Sequence, residues 1–270
     1  MPERRESELL SNMKLRLEED GKTADIYMYN CLESTNTTLK NMAKAGAGHG
    51  TVVIAKEQTA GRGRFGRKFF SPADTGLYMS ILMDVEETGI SDISLLTCGA
   101  AVITLQAIEG LTGIKCGIKW VNDLYIESKK VCGILAEGVV EHTTGKIKSV
   151  VVGIGINIDT KCFPDEIENI ATSIYKENTT ANPKDLVTLL AMDITKRFMS
   201  DDVFKNDEKY MSIYRENQIL IGKNVTVHGG SEVYEAKVVD VDSKGRLIVE
   251  KSDGVKENLF SGEVSVKMEV

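Results

Sequence analysis

The segment Ser149–Asp159, SVVVGIGINID, is apolar at almost every position. A run of this kind is typical of a β-strand that is buried on both faces. Further β-branched strands and amphipathic helices precede it, so the chain alternates between the two kinds of element. We therefore predict an α+β fold in which helices pack against a mixed β-sheet.

Three regions follow from the pattern along the chain. Residues 1–24 have leucine and methionine at roughly helical spacing, which predicts an N-terminal helical extension that docks on the rest. Residues 25–218 mix strands with helices, including a long apolar helix at 94–113, and form the predicted larger domain. Residues 219–270 contain short strands joined by turns such as Ser243-Lys244-Gly245, which predicts a small SH3-like β-barrel.

A glycine-rich basic loop at Lys56–Pro72, KEQTAGRGRFGRKFFSP, interrupts this pattern between two strands. The whole chain has a net charge of −7, which argues against a general nucleic-acid binder. Glycines let the backbone present N–H groups to an anion, and arginines pair with carboxylates or phosphates. No Gly-Lys-Ser/Thr follows, so the loop is not a P-loop. We predict that it binds a small anion, with a solvated flexible loop as the alternative.

The cysteines and the apolar runs limit the cellular setting. Five dispersed cysteines form no Cys-x-x-Cys pair, which predicts reduced thiols in a cytoplasmic protein rather than disulfides or a zinc site. The amino terminus is charged and shows no signal peptide. No apolar run approaches the roughly 18 residues of a membrane span, so we expect no membrane partner.

Three further segments carry polar side chains that are candidates for ligand contact. Lys119 lies in a strand-like run, and Asp123 after it suits Mg²⁺ on substrate phosphates; a plain Asn-Asp turn is the alternative. Gly153 and Gly155 lack the third glycine of a dinucleotide-binding motif, so we expect another segment or a ligand to pack closely there. Ser34-Thr35-Asn36 either caps a helix or binds a neutral polar group.

Taken together, these segments resemble the biotin–protein ligases. The family's Gly-Arg-Gly-Arg-x-Gly-Arg loop, which precedes an aromatic residue and Ser-Pro, is Gly61–Pro72 here. Its motifs Ser-Thr-Asn, Lys-Trp-Pro-Asn-Asp, Gly-Ile-Leu-x-Glu, Gly-Ile-Gly-x-Asn, Ala-Thr-Ser and Ser-Gly-Glu-Val correspond in order to 34–36, 119–123, 133–137, 153–157, 171–173 and 261–264. The resemblance spans residue 25 to the carboxyl terminus and implies a catalytic domain of class II synthetase type.

The resemblance implies a ligase that joins biotin to ATP as biotinoyl-5′-AMP and then transfers biotin to a lysine of a biotin carboxyl carrier domain. Positioned cations with Mg²⁺, and no covalent nucleophile, are expected to bring the two anions together. The implied catalytic residues are Lys119 and Arg64, and the implied metal contact is Asp123. The implied biotin contacts are Ser34, Thr35, Asn36, Gln58, Arg62, Gly63, Arg64 and Lys119. The implied ATP and adenylate contacts are Gly61, Arg64, Phe69, Asn122, Lys130 and Asn157.

Two departures and two alternatives accompany this reading. Phe69 stands where the family usually has tryptophan, and Val121 replaces its proline; both keep an apolar contact. A lipoate–protein ligase shares the fold, but its substrate lacks the ureido ring that Ser34-Thr35-Asn36 and Gln58 suit. A non-catalytic biotin sensor is less favoured, because regulatory members carry an amino-terminal DNA-binding domain for which this chain has no room. We expect no nucleic-acid partner and leave a homodimer open.

Overall fold

The computed structural model describes residues 13–19, 21–89, 92–141, 143–177, 182–200, 207–229, 232–260 and 263–266. Within these residues the chain forms two β-sheets and five α-helices. The larger sheet and the helices supply the walls of the candidate site, so their arrangement is described first.

Eight strands form the larger sheet, in the order β1-β2-β3-β4-β8-β7-β6-β5. In chain order they are β1 (Met13–Glu19), β2 (Lys22–Leu32), β3 (Val52–Gln58), β4 (Gly76–Asp84), β5 (Gly117–Lys119), β6 (Asp123–Ile126), β7 (Lys129–Val140) and β8 (Ile147–Asn157). The pair β2–β3 is parallel and the other neighbouring pairs are antiparallel. The predicted mixed sheet is confirmed.

The helices begin and end at residues suited to those positions. They are α1 (Thr35–Lys44), α2 (Val85–Thr88), α3 (Ile93–Thr112), α4 (Pro183–Met199) and α5 (Asp207–Glu216). Ser34 is the N-cap of α1, and its hydroxyl accepts from the Thr37 N–H at 3.5 Å. Asp92 caps α3 in the same way, and Gly113 ends it in the left-handed conformation at φ 74°. One of the alternatives for Ser34-Thr35-Asn36, a helix cap, is therefore confirmed for Ser34.

Helices cover both faces of the larger sheet. On one face Met79 and Ile81 of β4 belong to the main core, together with much of α3. On the other face Leu82 and Val151 pack with Leu39 of α1 in a second, smaller core. The strand β8 is buried continuously from Ser149 to Ile154, as the apolar run predicts. Because side chains alternate between faces, Ser80 of β4 and Gly153 of β8 lie on the α1 face.

Helix α3 is the long apolar helix that the sequence predicts. By length and composition it could cross a membrane, which differs from the expectation that no segment approaches that length. Of its apolar 18-residue window 67% is buried inside the protein, so it is placed as a core helix. Its small residues, among them Ala100 and Ala101, are fully buried under the sheet.

The predicted N-terminal helix is wrong over its described part. Met13–Glu19 form the edge strand β1, which pairs antiparallel with β2. The alternation of Leu15 and Leu17 with charged residues has the two-residue period of a strand. The part of that prediction at 1–12 lies outside the described residues.

The carboxyl-terminal region forms a five-stranded antiparallel sheet, as expected for a small SH3-like domain. Its strands are β9 (Asn224–Gly229), β10 (Glu232–Val241), β11 (Leu247–Lys251), β12 (Lys256–Leu259) and β13 (Glu263–Val266). Valines 225, 227 and 238 of this sheet belong to the same core as α3. The exact boundaries at 24/25 and 218/219 stay predictions.

Candidate active site

A cavity of about 400 Å³ lies where the start of α1, the basic loop and strands β6–β8 meet. All the side chains for which the sequence predicts a ligand contact line it, with one exception. The exception is Gly61, where a Cβ would come within 2.5 Å of the Phe69 carbonyl oxygen. The absence of a side chain at Gly61 therefore allows the two sides of the loop to approach closely.

The basic loop is a folded hairpin. The Gly63 N–H donates to the Arg67 carbonyl at 2.7 Å, and the Phe69 N–H donates to the Gly61 carbonyl at 2.9 Å. Arg64 reaches across the cavity, where its Nη1 donates to Asn122 Oδ1 at 3.4 Å. The Asn122 amide in turn donates to the Ile134 carbonyl at 2.6 Å. The loop and the Trp120–Asp123 segment, which are far apart in the sequence, thus meet at the cavity.

Phe69 lies against a floor that glycines keep open. A Cβ at Gly155 would come within 2.5 Å of its ring, and a Cβ at Gly133 within 3.2 Å. Tyr78 meets the same ring edge-to-face, with centroids 6.4 Å apart. The expectation that Gly153 and Gly155 allow another segment to pack closely is confirmed, because Asn36 occupies the space above Gly153 in the same way.

The Ser-Thr-Asn segment and Gln58 form one buried polar network. Gln58 Oε1 accepts from the Thr35 N–H at 2.9 Å and from its hydroxyl at 3.2 Å. The Gln58 amide donates to the Ser71 hydroxyl at 2.9 Å. Ser80 Oγ shares its one proton between Asn36 Oδ1 at 2.6 Å and Thr35 Oγ1 at 2.8 Å. Of these uncharged residues, Thr35, Asn36 and Gln58 line the cavity, where they can offer hydrogen bonds to a neutral polar ligand.

Glu137 is the carboxylate beside this network. Its oxygens accept from Asn36 Nδ2 at 2.8 Å and from Lys40 Nζ at 3.0 Å, and Arg62 Nη1 lies 3.8 Å away. Burial acts to raise the pKa of Glu137, but the hydrogen bonds from Asn36 and Lys40 and the charges of Lys40 and Arg62 outweigh it, so the pKa is lowered. The carboxylate is therefore ionised at neutral pH.

Two lysines bring positive charge to another part of the cavity. Lys130 Nζ lies 2.7 Å from Asp123 Oδ1, and its end lies close to Gly133 on the floor beneath Phe69. Lys119 Nζ lies 5.5 Å from the centroid of the Tyr125 ring. Burial raises the pKa of that tyrosine to about 12, so it stays neutral beside the lysine.

The donor set fits a magnesium ion only if phosphates supply most of its ligands. Among the described residues, no three His, Cys, Asp or Glu side chains cluster as a metal site. Asp123 is the carboxylate that lines the cavity, and it is already paired with Lys130. A single carboxylate together with substrate phosphates is a usual environment for Mg²⁺.

Sequence reasoning missed two residues that organise the site, Ser80 and Glu137. Ser80 is fully buried in the apolar run of β4, and a serine at such a position signals an internal hydrogen-bond partner. Glu137 closes the Gly-Ile-Leu-x-Glu motif, but its contacts with Asn36 and Lys40 bridge about a hundred residues. Pattern along the chain does not reveal such partners.

Comparison with known proteins agrees with this geometry. The model of the family described as "Biotin/lipoate A/B protein ligase family" matches residues 28–157, and "Biotin protein ligase C terminal domain" matches 220–267. The bifunctional ligase/repressor BirA of Bacillus subtilis is 30% identical over 260 residues, which are 95% of this chain and 78% of the relative. The biotin--[acetyl-CoA-carboxylase] ligase of Mycobacterium tuberculosis is 29% identical, with 80% of each chain covered.

Solved structures give the same result. The biotin protein ligase from Aquifex aeolicus, in complex with biotin and ATP, superimposes with a TM-score of 0.72 at 27% identity. The match covers 90% of this chain and 98% of that one. A biotin protein ligase from Leishmania major in complex with biotinyl-5-AMP shares the fold, with a TM-score of 0.55 at 23% identity. This chain therefore belongs to the biotin/lipoate A/B protein ligase family, and within it to the biotin protein ligases.

Proposed function

We propose that this chain is an ATP-dependent biotin–protein ligase that forms biotinoyl-5′-AMP and transfers biotin to a lysine of a biotin carboxyl carrier domain. One observation carries the proposal: a single cavity combines an uncharged polar network with several cations. Ser34, Thr35, Asn36 and Gln58 suit the neutral ureido ring. Arg62, Arg64, Lys119 and Lys130 suit a carboxylate and phosphates.

The first step joins two anions. A biotin carboxylate oxygen attacks the α-phosphorus of ATP, the bond to the β-phosphate oxygen breaks, and pyrophosphate leaves with that electron pair. Arg64, Lys119 and Lys130 offset the repulsion between the reactants and the charge that develops on the phosphoryl oxygens. Asn122 holds Arg64 in place, and Asn157 and Phe69 are proposed to contact the nucleotide. Asp123, together with the substrate phosphates, would hold a Mg²⁺ ion, which would supply neutralisation of phosphate charge.

The second step requires that the lysine of the carrier domain reach the bound adenylate. The lysine amine of the carrier domain attacks the biotinoyl carbonyl, the bond to the phosphate oxygen breaks, AMP leaves and the nitrogen loses a proton. The mixed anhydride is also open to attack by water or by other amines. We propose that the Gly61–Pro72 loop, folded over the cavity through Arg64 and Phe69, shields the adenylate until the carrier domain docks. The setting we propose is the cytoplasm.

Lipoate is the nearest competing substrate. Its dithiolane ring has no N–H or carbonyl group, so it would leave the buried network around Gln58 and Asn36 without ligand partners, which costs free energy. A purely regulatory role is the other alternative. A gel shift with genomic fragments tests it, and we expect no DNA binding.

The activation step is tested by exchange of labelled pyrophosphate into ATP. We expect exchange with biotin and Mg²⁺, and at least 100-fold less with lipoate at equal concentration, on the order of the discrimination that buried polar groups provide. Equal exchange with lipoate would contradict the assignment of the neutral network to the ureido ring. Absence of exchange with biotin would contradict the proposal that this chain is a biotin–protein ligase.

A further inference from the structure

The amide of Asn36 is held on both sides by the protein. Its Nδ2 donates to Glu137 Oε2 at 2.8 Å and to the Leu135 carbonyl at 3.2 Å. Its Oδ1 accepts from Ser80 Oγ at 2.6 Å. A side-chain amide has two N–H donors and an oxygen with two lone pairs. Both donors are therefore used, and one lone pair of Oδ1 remains.

Glu137 and the Leu135 carbonyl together determine the orientation of this amide. An ionised carboxylate and a carbonyl only accept hydrogen bonds, so a flipped amide would place Oδ1 against the acceptors of Glu137 and Leu135. Ser80 does not impose an orientation, because a hydroxyl both donates and accepts. Lys40, at 3.0 Å from Glu137, and Arg62, at 3.8 Å, keep the carboxylate charged. The orientation thus rests on the Leu135 carbonyl and on the charge of Glu137, a residue outside the cavity lining.

The consequence is an acceptor beside Gly153 in the cavity wall. Asn36 and Gly153 both line the cavity, and the missing side chain of Gly153 leaves the space that Asn36 Oδ1 occupies. Asn36 is 4% exposed and Ser80 is fully buried, so water does not compete freely for this amide. In the fixed orientation, Oδ1 accepts from a ligand N–H and offers nothing to a ligand acceptor.

We propose that Glu137 is a positioning residue that sets substrate specificity: it locks the Asn36 amide so that Oδ1 accepts an N–H of a cyclic urea. This inference rests on the proposed biotin ligation and adds to it a residue that does not touch the substrate. It also explains selection against a dithiolane ring, which has no N–H to give. The Glu137 carboxylate affects ligand binding only by orienting Asn36, and it takes no part in the reaction at the phosphorus.

The test uses Glu137→Gln, which keeps the size of the side chain and removes its charge. An amide at 137 can donate as well as accept, so only the Leu135 carbonyl then opposes a flip of the Asn36 amide. We expect the KM for biotin to rise about 10–100-fold, the cost of one to two misdirected buried hydrogen bonds. The KM for ATP should stay within about twofold. Glu250→Gln, which removes a charge paired with Lys256 at 3.9 Å in the carboxyl-terminal sheet, is the matched control and should change neither KM.

A second measurement distinguishes a role of Glu137 in orienting Asn36 from a role in stabilising the fold. Two analogues of biotin, in which one or the other ring N–H is replaced by oxygen, are compared with biotin by kcat/KM. The wild-type protein should disfavour the analogue that lacks the N–H facing Asn36, and Glu137→Gln should reduce that preference about tenfold. A purely structural role would lower kcat/KM for biotin and both analogues alike.

The outcomes are distinct. A folded Glu137→Gln variant whose KM for biotin stays within twofold of wild type, or whose two KM values rise together, would overturn the inference. If that variant does not fold, Lys40→Met decides, and we expect a rise of about 3–10-fold in the KM for biotin alone; no rise would count against Glu137. Failure of the wild-type protein to activate biotin would instead remove the proposed function.

Discussion

At the scale of single residues, the cations of the cavity are arranged by neighbours within the protein. Arg64 donates to Asn122, Lys130 pairs with Asp123, and Arg62 lies near Glu137. Such contacts hold long side chains near the place where a phosphate or carboxylate would bind, which lowers the entropy that binding must overcome. Each contact can be removed by a single substitution.

Arg64→Gly should produce an enzyme that releases biotinoyl-5′-AMP before transfer. The substitution removes a charge-assisted contact worth roughly 1.5–3 kcal/mol and adds backbone freedom to the loop. Lys119 and Lys130 remain, so the adenylate should still form but dissociate about 10–150-fold faster. We expect biotin to be incorporated into a bystander such as albumin, mixed with the variant, ATP and biotin. Arg64→Met separates loss of charge from backbone freedom, and bystander labelling at the wild-type level in both variants would show that the loop does not retain the adenylate.

Lys119 and Lys130 should contribute to activation more than to binding of biotin. Removing one electrostatic stabiliser commonly lowers kcat about 10²–10³-fold. We expect losses of this order in pyrophosphate exchange for Lys119→Met and for Lys130→Met. Lys129→Met is the control, because Lys129 Nζ contacts the exposed Glu168 carbonyl at 3.3 Å outside the cavity. If the kcat of either variant stays within threefold of wild type, the proposed role of that lysine in activation is contradicted.

Phe69→Ala should weaken the binding of ATP more than the binding of biotin. The ring lies on the floor of Gly133 and Gly155 at the cavity, and a base–aromatic contact is worth about 1–3 kcal/mol by analogy with nucleic-acid stacking. The KM for ATP should therefore rise roughly 5–140-fold, with a smaller change for biotin. Phe260→Ala, at a residue that is 71% exposed and does not line the cavity, is the control. Equal rises in both KM values for Phe69→Ala would count against stacking on adenine.

At the scale of elements, the carboxyl-terminal sheet contacts the segment that carries the proposed catalytic residue Lys119. Trp120, next to Lys119, donates from Nε1 to the Gly245 carbonyl at 2.9 Å in the turn between β10 and β11. Gly245 is in the left-handed conformation at φ 73°, and a Cβ there would come within 2.8 Å of Cys98 Sγ in α3. The turn therefore packs closely and positions the segment that carries Lys119 and Asn122.

Trp120→Phe tests this link, since it keeps an aromatic ring and removes the N–H donor. We expect a loss of about 1–3 kcal/mol of stability, because the Gly245 carbonyl is left unpaired, together with a lower kcat for adenylation. Tyr234→Phe removes a hydrogen bond of 2.9 Å to Glu257 within the carboxyl-terminal sheet and should leave kcat unchanged. Equal kcat in the two variants would make the link purely structural.

Local pattern predicted most elements, and contacts between distant segments account for what it missed. The apolar run of β8, the cap at Ser34 and the glycine-rich loop are visible over a few residues. The strand β1 was missed because the wider window that includes Leu9 and Leu10 suggests a helix. The partners of Asn36, namely Ser80 and Glu137, lie 44 and 101 residues away, where no local signal connects them.

At the scale of the whole molecule, the carboxyl-terminal sheet completes the core of the catalytic region. Val225, Val227 and Val238 are buried in the same hydrophobic cluster as α3. Arg215 of α5 adds a hydrogen bond of 2.8 Å to the Val241 carbonyl. An interface that is apolar at its centre does not tolerate separation of its two sides.

Deletion of the residues after Gln218 should therefore expose apolar surface. We expect the fragment 1–218 to aggregate or to lose cooperative thermal unfolding, in contrast to the full chain. Circular dichroism melts and light scattering measure both properties. A soluble, cooperatively folded fragment with unchanged turnover would show that the carboxyl-terminal sheet is a passive module.

Transfer of biotin to a carrier lysine tests the central claim most directly. The purified protein is mixed with ATP, Mg²⁺, biotin and a biotin carboxyl carrier domain, and the intact mass of that domain is followed with time. We predict a gain of one biotinoyl group on a single lysine, dependent on ATP and absent when lipoate replaces biotin. A carrier domain whose mass stays unchanged, or that gains a lipoyl group instead, would contradict the account.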